Sequence, residues 1–140
     1  MYKDILLAID IDDKSSWSAS APIAIELAEK FGATLHVMVV IPTFGSSLVA
    51  DFFPKGYEKK TMEEAAARLH TWTKANIPDG IRKQHIVGHG RVYEEILRGA
   101  KDTDCDLIVL CDRRTDADML GHNADKVAHQ AKQSVLIVRH

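Results

Sequence analysis

Four apolar runs, most rich in β-branched residues, punctuate this chain: Ile5-Leu6-Leu7-Ala8-Ile9, Leu35-His36-Val37-Met38-Val39-Val40-Ile41, Leu107-Ile108-Val109-Leu110 and Val135-Leu136-Ile137-Val138. They are nearly continuous rather than alternating, as expected of strands covered on both faces. Between the first two, Ala21, Ala24, Leu27, Ala28 and Phe31 recur at helical spacing, with Ser15 and Ser16 as cap candidates and Gly32 as a stop. That predicts a helix over 15–31. A second helix is expected over 59–75, with Met62, Ala65, Ala66, Leu69 and Trp72 on its buried stripe, ended by Asn76-Ile77-Pro78-Asp79-Gly80. A weaker strand follows over 83–87. Gly88-His89-Gly90-Arg91 then turns into a helix bearing Val92, Ile96, Leu97 and Ala100, and a last helix bears Ala124, Val127, Ala128 and Ala131. Strands alternating with helices in this way indicate an α/β domain with a doubly wound parallel sheet.

At 140 residues the chain makes one domain, 1–140, with no repeat or linker dividing it. A formal charge of −2 spread over mixed acids and bases leaves no basic face for nucleic acid or an anionic membrane. No apolar run reaches the roughly 20 residues of a membrane helix, and the first strand begins too early for a signal peptide. Cys105 and Cys111 are too far apart along an extended segment to pair and are read as free thiols. A reducing, cytoplasmic location is the expectation. The stretch 42–57, with Pro42, Phe44, Gly45, Phe52, Phe53, Pro54 and Gly56, fits neither period. It reads equally as a lid, binding segment or partner contact, and as a connection anchored by aromatics.

Chemistry is best sought where the fourth strand runs into a polar loop and then Gly121-His122-Asn123-Ala124, because a helix N-terminus offers free N–H groups to a phosphate. With that loop in view, the chain resembles the universal stress protein family over essentially its full length. Met1 to Asp10 is similar to the family's opening strand ending in Asp, and Asp106-Leu107-Ile108-Val109-Leu110 to its fourth strand. Gly121 to Ala124 with Ser134-Val135-Leu136-Ile137-Val138-Arg139 is similar to its last helix and strand, closest to the branch carrying Gly-Ser-Asn-Ala. The resemblance implies a Rossmann-like, adenine nucleotide alpha hydrolase-like fold, its five parallel strands in the order 3-2-1-4-5. It also implies a homodimer paired through Val135, Leu136, Ile137 and Val138. In nucleotide-binding members the fourth strand leads into a glycine-rich loop that wraps the phosphates of ATP. Here Cys111 and Arg114 stand where its first two glycines would be, His122 replaces the small hydroxyl residue, and Gly121 is retained. The loop is also short, and a residue with a Cβ resists the close backbone approach that glycine permits. In the Gly-Ser-Asn-Ala branch those early glycines vary as well. Arg113, Arg114 and His122 supply side chains able to hold phosphate in their place.

The resemblance carries Ala8, Ile9 and Asp10 onto the end of strand one, beside base and ribose, and Val39 and Val40 onto the end of strand two. Independently, the carboxyl ends of strands one and four flank the switch point of such a sheet, where ligands of doubly wound folds bind. The expected site is therefore Ala8, Ile9, Asp10, Val40, Cys111, Arg113, Arg114, Gly121, His122 and Asn123, taking ATP or another adenine nucleotide with Mg²⁺. A non-nucleotide-binding dimeric interaction protein of the same fold is the alternative.

Other constellations carry less. Asp10, Asp12 and Asp13 also suit a response-regulator receiver, but the required strand-three Asp and strand-five Lys are missing; Asp12 and Asp13 read as a solvated turn and cap. The spacings of the seven histidines do not converge on a metal, and His36 reads as a hydrogen-bonded core residue. Cys111 has no base that the sequence places beside it and reads as a buried thiol. Trp72 belongs to its helix's apolar stripe, and Trp17 covers a sheet edge. No enzymatic activity is expected.

Overall fold

The computed structural model describes residues 1–42, 57–112 and 120–139. Its strands are β1 (Asp4–Ala8), β2 (Thr34–Pro42), β3 (Lys83–Gly90), β4 (Leu107–Cys111) and β5 (Ser134–Val138). The helices are α1 (Ser20–Phe31), α2 (Tyr57–Asn76), α3 (Val92–Asp102) and α4 (His122–Gln130), and a 3₁₀ turn (Lys14–Ser16) precedes α1. All pairings are parallel, in the order β3-β2-β1-β4-β5.

Each strand's alternate residues serve opposite layers, which accounts for the unbroken apolar runs. One layer sets Ile5, Leu7, Leu35, Val37, Val39 and Val109 against Ala21, Ala24 and Ala28 of α1 and Leu69 and Trp72 of α2. The other sets Leu6, Met38, Ile108 and Leu110 against Ile96 and Ala100 of α3 and Ala124 and Val127 of α4. Burial is complete in the middle of β1, where Ile5, Leu6 and Leu7 have no exposed surface. Full burial of each such side chain contributes about 1.5–3 kcal/mol. His36 lies in the second layer's strand face, and its Nε2 meets Asp4 Oδ1 at 2.9 Å, the hydrogen-bonded core role expected of it.

Several boundaries differ from expectation. The first helix begins at Ser20 rather than at 15, because Ser16 and Asp13 are engaged in the loop before it: Asp13 Oδ1 accepts from Ser15 N at 3.0 Å, capping the 3₁₀ turn, and Ser16 Oγ is spent on Asp10. Strand β3 continues through Gly88, His89 and Gly90, which read as a turn; pairing with Val40, Ile41 and Pro42 of β2 extends it. Ala66 and Ala128 are exposed rather than part of their helices' buried stripes, and Trp17 packs edge-on against Trp72, ring centres 5.4 Å apart, rather than on a sheet edge. Residues 43–56 of the long connection lie outside the described residues.

Two glycines carry geometric requirements. Gly32 closes α1 in the left-handed region at φ 64°, with its N–H on Ala28 O. Gly99 lets α3 approach the sheet: a Cβ there would stand 2.9 Å from Met38 Sδ.

Candidate functional site

The carboxyl ends of β1, β2 and β4 and the start of α4 converge at the switch point between β1 and β4. Ala8 ends β1, paired with Met38, and faces the α3–α4 layer together with Val40; both are half-buried. Ile9 faces the other layer, is buried, and donates its N–H to Met38 O at 2.9 Å. Its side chain therefore supports the sheet.

Asp10 begins the loop. Its backbone is clasped from both sides by Ser16, whose Oγ accepts from Asp10 N at 2.9 Å and donates to Asp10 O at 2.9 Å. The Asp10 carboxylate folds back as an Asx turn, Oδ1 accepting from Asp12 N at 3.1 Å. Asp12 is tied in turn to Arg68 of α2 through both guanidinium amino groups. That contact holds the Asp12 carboxyl below the usual carboxylate range. The expected solvated turn and cap are present, and a strut to α2 is added to them.

Cys111 ends β4 opposite Val138, buried, with Sγ directed at Ser15 O at 3.1 Å. The thiol thus stitches β4 to the loop after β1. Asp112 follows, 5 % exposed; it donates its N–H to Val138 O at 2.9 Å and its Oδ1 accepts from Gly121 N at 3.0 Å. Gly121 is the cap residue of α4, at φ −59° and ψ 154°, a conformation open to any residue. Its glycine freedom is not used here. His122 and Asn123 open α4 with exposed side chains, and the His122 ring meets Tyr93 of α3 edge-on at 5.8 Å. Arg113 and Arg114 lie outside the described residues.

The structure therefore brings Ala8, Asp10, Val40, Cys111 and Gly121 to one end of the sheet, with His122 and Asn123 on the first turn of α4. Reasoning from sequence missed Asp112, Ser16, Arg68 and Tyr93. For Asp112 a signal was available, an acid at the mouth of a buried strand, nine residues before a capping glycine. Ser16 answers to a contact within its own loop, and Arg68 and Tyr93 to contacts between elements. At the far edge, Glu95 of α3 is buried and paired with Arg98 at 3.2 Å, and it accepts from His89 N at 3.3 Å. His89 Nδ1 also meets Glu58 Oε1 at 2.9 Å. Among the described residues no group of three or more His, Cys, Asp or Glu is arranged to hold a metal ion, and no helix is long and apolar enough to cross a membrane.

A family model described as the universal stress protein family matches residues 1–139. The chain belongs to the universal stress protein family. No curated protein sequence matches it significantly. Among solved structures similar to this universal stress protein, the hypothetical protein MJ0577 is 25% identical with a TM-score of 0.73, covering 100% of this chain and 97% of its own. A universal stress protein solved in complex with cAMP is 20% identical, TM-score 0.61, with 99% of this chain and 97% of that one covered. The universal stress protein from Archaeoglobus fulgidus in complex with dAMP is 19% identical, TM-score 0.60, with 97% of each chain covered. These likenesses extend over essentially the whole of the fold described above.

Proposed function

We propose that this universal stress protein is a regulatory binding module that takes an adenine nucleotide at the switch point, with a single phosphate at the start of α4. The observation that carries this is the convergence of Ala8, Asp10 and Val40 with the N-terminus of α4 at one end of the sheet. Two similar structures were solved with cAMP and dAMP, ligands with one phosphate each. A monophosphate suits this chain better than ATP. Cys111 replaces a glycine, and the Asp112 carboxylate already takes the Gly121 N–H, so a long polyphosphate would meet a fixed negative charge. Mg²⁺ would accompany only the longer phosphates. The mechanism is ligand-dependent change at the loop and dimer surface rather than turnover. In the same reading the protein is cytoplasmic, its two buried free thiols fitting a reducing compartment.

A second copy is the expected partner, through β5. That strand is an open edge of the sheet, and Val135, Leu136 and Ile137 remain half-buried in the single chain. Val138 is buried within its own subunit and adds mainly backbone pairing.

One observation favours the alternative, a dimeric interaction protein without nucleotide: Asp112 supplies the anion that a phosphate would otherwise provide at α4. Calorimetric titration of nucleotide-stripped protein with AMP, cAMP and ATP with Mg²⁺ separates the two, repeated with Gly121→Trp and Arg114→Ala. Binding of AMP in the micromolar range, tighter than ATP and lost with Gly121→Trp, supports the site. No heat from any adenine nucleotide at millimolar concentration sinks it and leaves the interaction protein.

A further inference from the structure

The geometry points to a two-histidine site for a borderline divalent transition ion such as Zn²⁺, formed by His70 of α2 and His85 of β3, away from the nucleotide cleft. The two imidazoles meet with ring centres 5.3 Å apart and planes at 61°. Metal–nitrogen bonds of about 2.0–2.1 Å place the ring centres of two histidines on one tetrahedral ion roughly 5 Å apart. The spacing needed for shared coordination is already present. Both residues are exposed, so an ion can arrive from solvent and keep water in its remaining positions.

Imidazole pairs select ions such as Zn²⁺, Cu²⁺ and Ni²⁺, whereas Mg²⁺ and Ca²⁺ prefer oxygen ligands. The ligand form is the neutral ring. At neutral pH an exposed imidazole is largely in that form. The ammonium of Lys83 is held by Pro78 O at 2.9 Å. An ion at this place would tie a helix to β3, an outer strand of the sheet, and would stabilise the folded chain because the unfolded chain does not hold the two rings together.

The test is titration of metal-stripped protein with ZnCl₂, followed by histidine NMR resonances and by the unfolding temperature, in the wild type and in His70→Gln, His85→Gln and His129→Gln. Resonances of His70 and His85 should shift together, and each of those two substitutions should weaken binding about tenfold or more and abolish the rise in unfolding temperature. His129→Gln, on α4, should bind as the wild type does. Undiminished Zn²⁺ binding in both His70→Gln and His85→Gln, or no binding by the folded wild type, would reduce the pair to an edge-to-face ring contact and overturn the site.

Discussion

Replacing Asp112 by Asn removes one negative charge at the mouth of β4. The amide oxygen can still accept from Gly121 N, 3.0 Å from the present carboxylate oxygen, and the side-chain volume is kept. A phosphate held by the neighbouring N–H groups of the first turn of α4 would stand about 4–5 Å from that oxygen. Two unit charges at 4 Å interact by about 1 kcal/mol in water and about 4 kcal/mol at an effective dielectric of about 20. Asp112 is 5 % exposed, so a value between these limits applies, about 1.5–3 kcal/mol. At 1.4 kcal/mol per tenfold, Asp112→Asn should tighten AMP binding by roughly 10–100-fold and ATP binding by at least as much. Adenosine, which lacks the phosphate, is the internal control and should bind both proteins alike. The substitution also removes an anion from a helix N-terminus, at a cost of about 0.3–1 kcal/mol in stability. Calorimetry at low and high salt reads the affinities, and the gain should shrink as salt screens the charge. Equal AMP affinity in the two proteins, with adenosine unchanged, would refute a phosphate position at α4.

Other consequences follow from the core and its caps. Leu69 is fully buried between α2 and the sheet, so Leu69→Ala should lower stability by about 2–5 kcal/mol in urea unfolding monitored by circular dichroism. Gly32→Ala places a Cβ at φ 64° and should cost about 1 kcal/mol by the same assay. Burial, together with the carboxylates of Asp4, Asp106 and Asp104, pushes the Cys105 thiol up to about 11. Cys105 should therefore resist a thiolate-specific reagent at pH 8 in the folded protein and react on unfolding. Since the unfolded thiol ionises near its ordinary value and the folded one does not, the stabilising contribution of Cys105 is complete below about pH 8 and declines as pH rises from there through about 11. Cys105→Ser should flatten that alkaline decline.

The alternation of strands and helices, the double-sided burial of the apolar runs and the membership of Cys111 and Gly121 in one strand–loop–helix unit could be read directly along the chain. Each rests on local periodicity, and a residue's layer in a strand follows from its parity alone. His36 was legible for the same reason, since a polar ring inside an apolar strand must find a partner.

Contacts between distant segments were not legible in this way. Ser15 and Ser16 look like helix caps locally, yet Ser16 closes on Asp10, and the helix starts only after that loop is complete. Gly88 to Gly90 looks like a turn, yet the ladder with β2 carries the strand through it. Arg68 meets Asp12 and His70 meets His85 only because the fold brings their elements together. Periodicity along a chain specifies which face each residue presents to its own layer. Which residue of another element lies opposite is set by strand order and helix packing, and the contacts at the carboxyl end of the sheet and in the histidine pair were decided at that level.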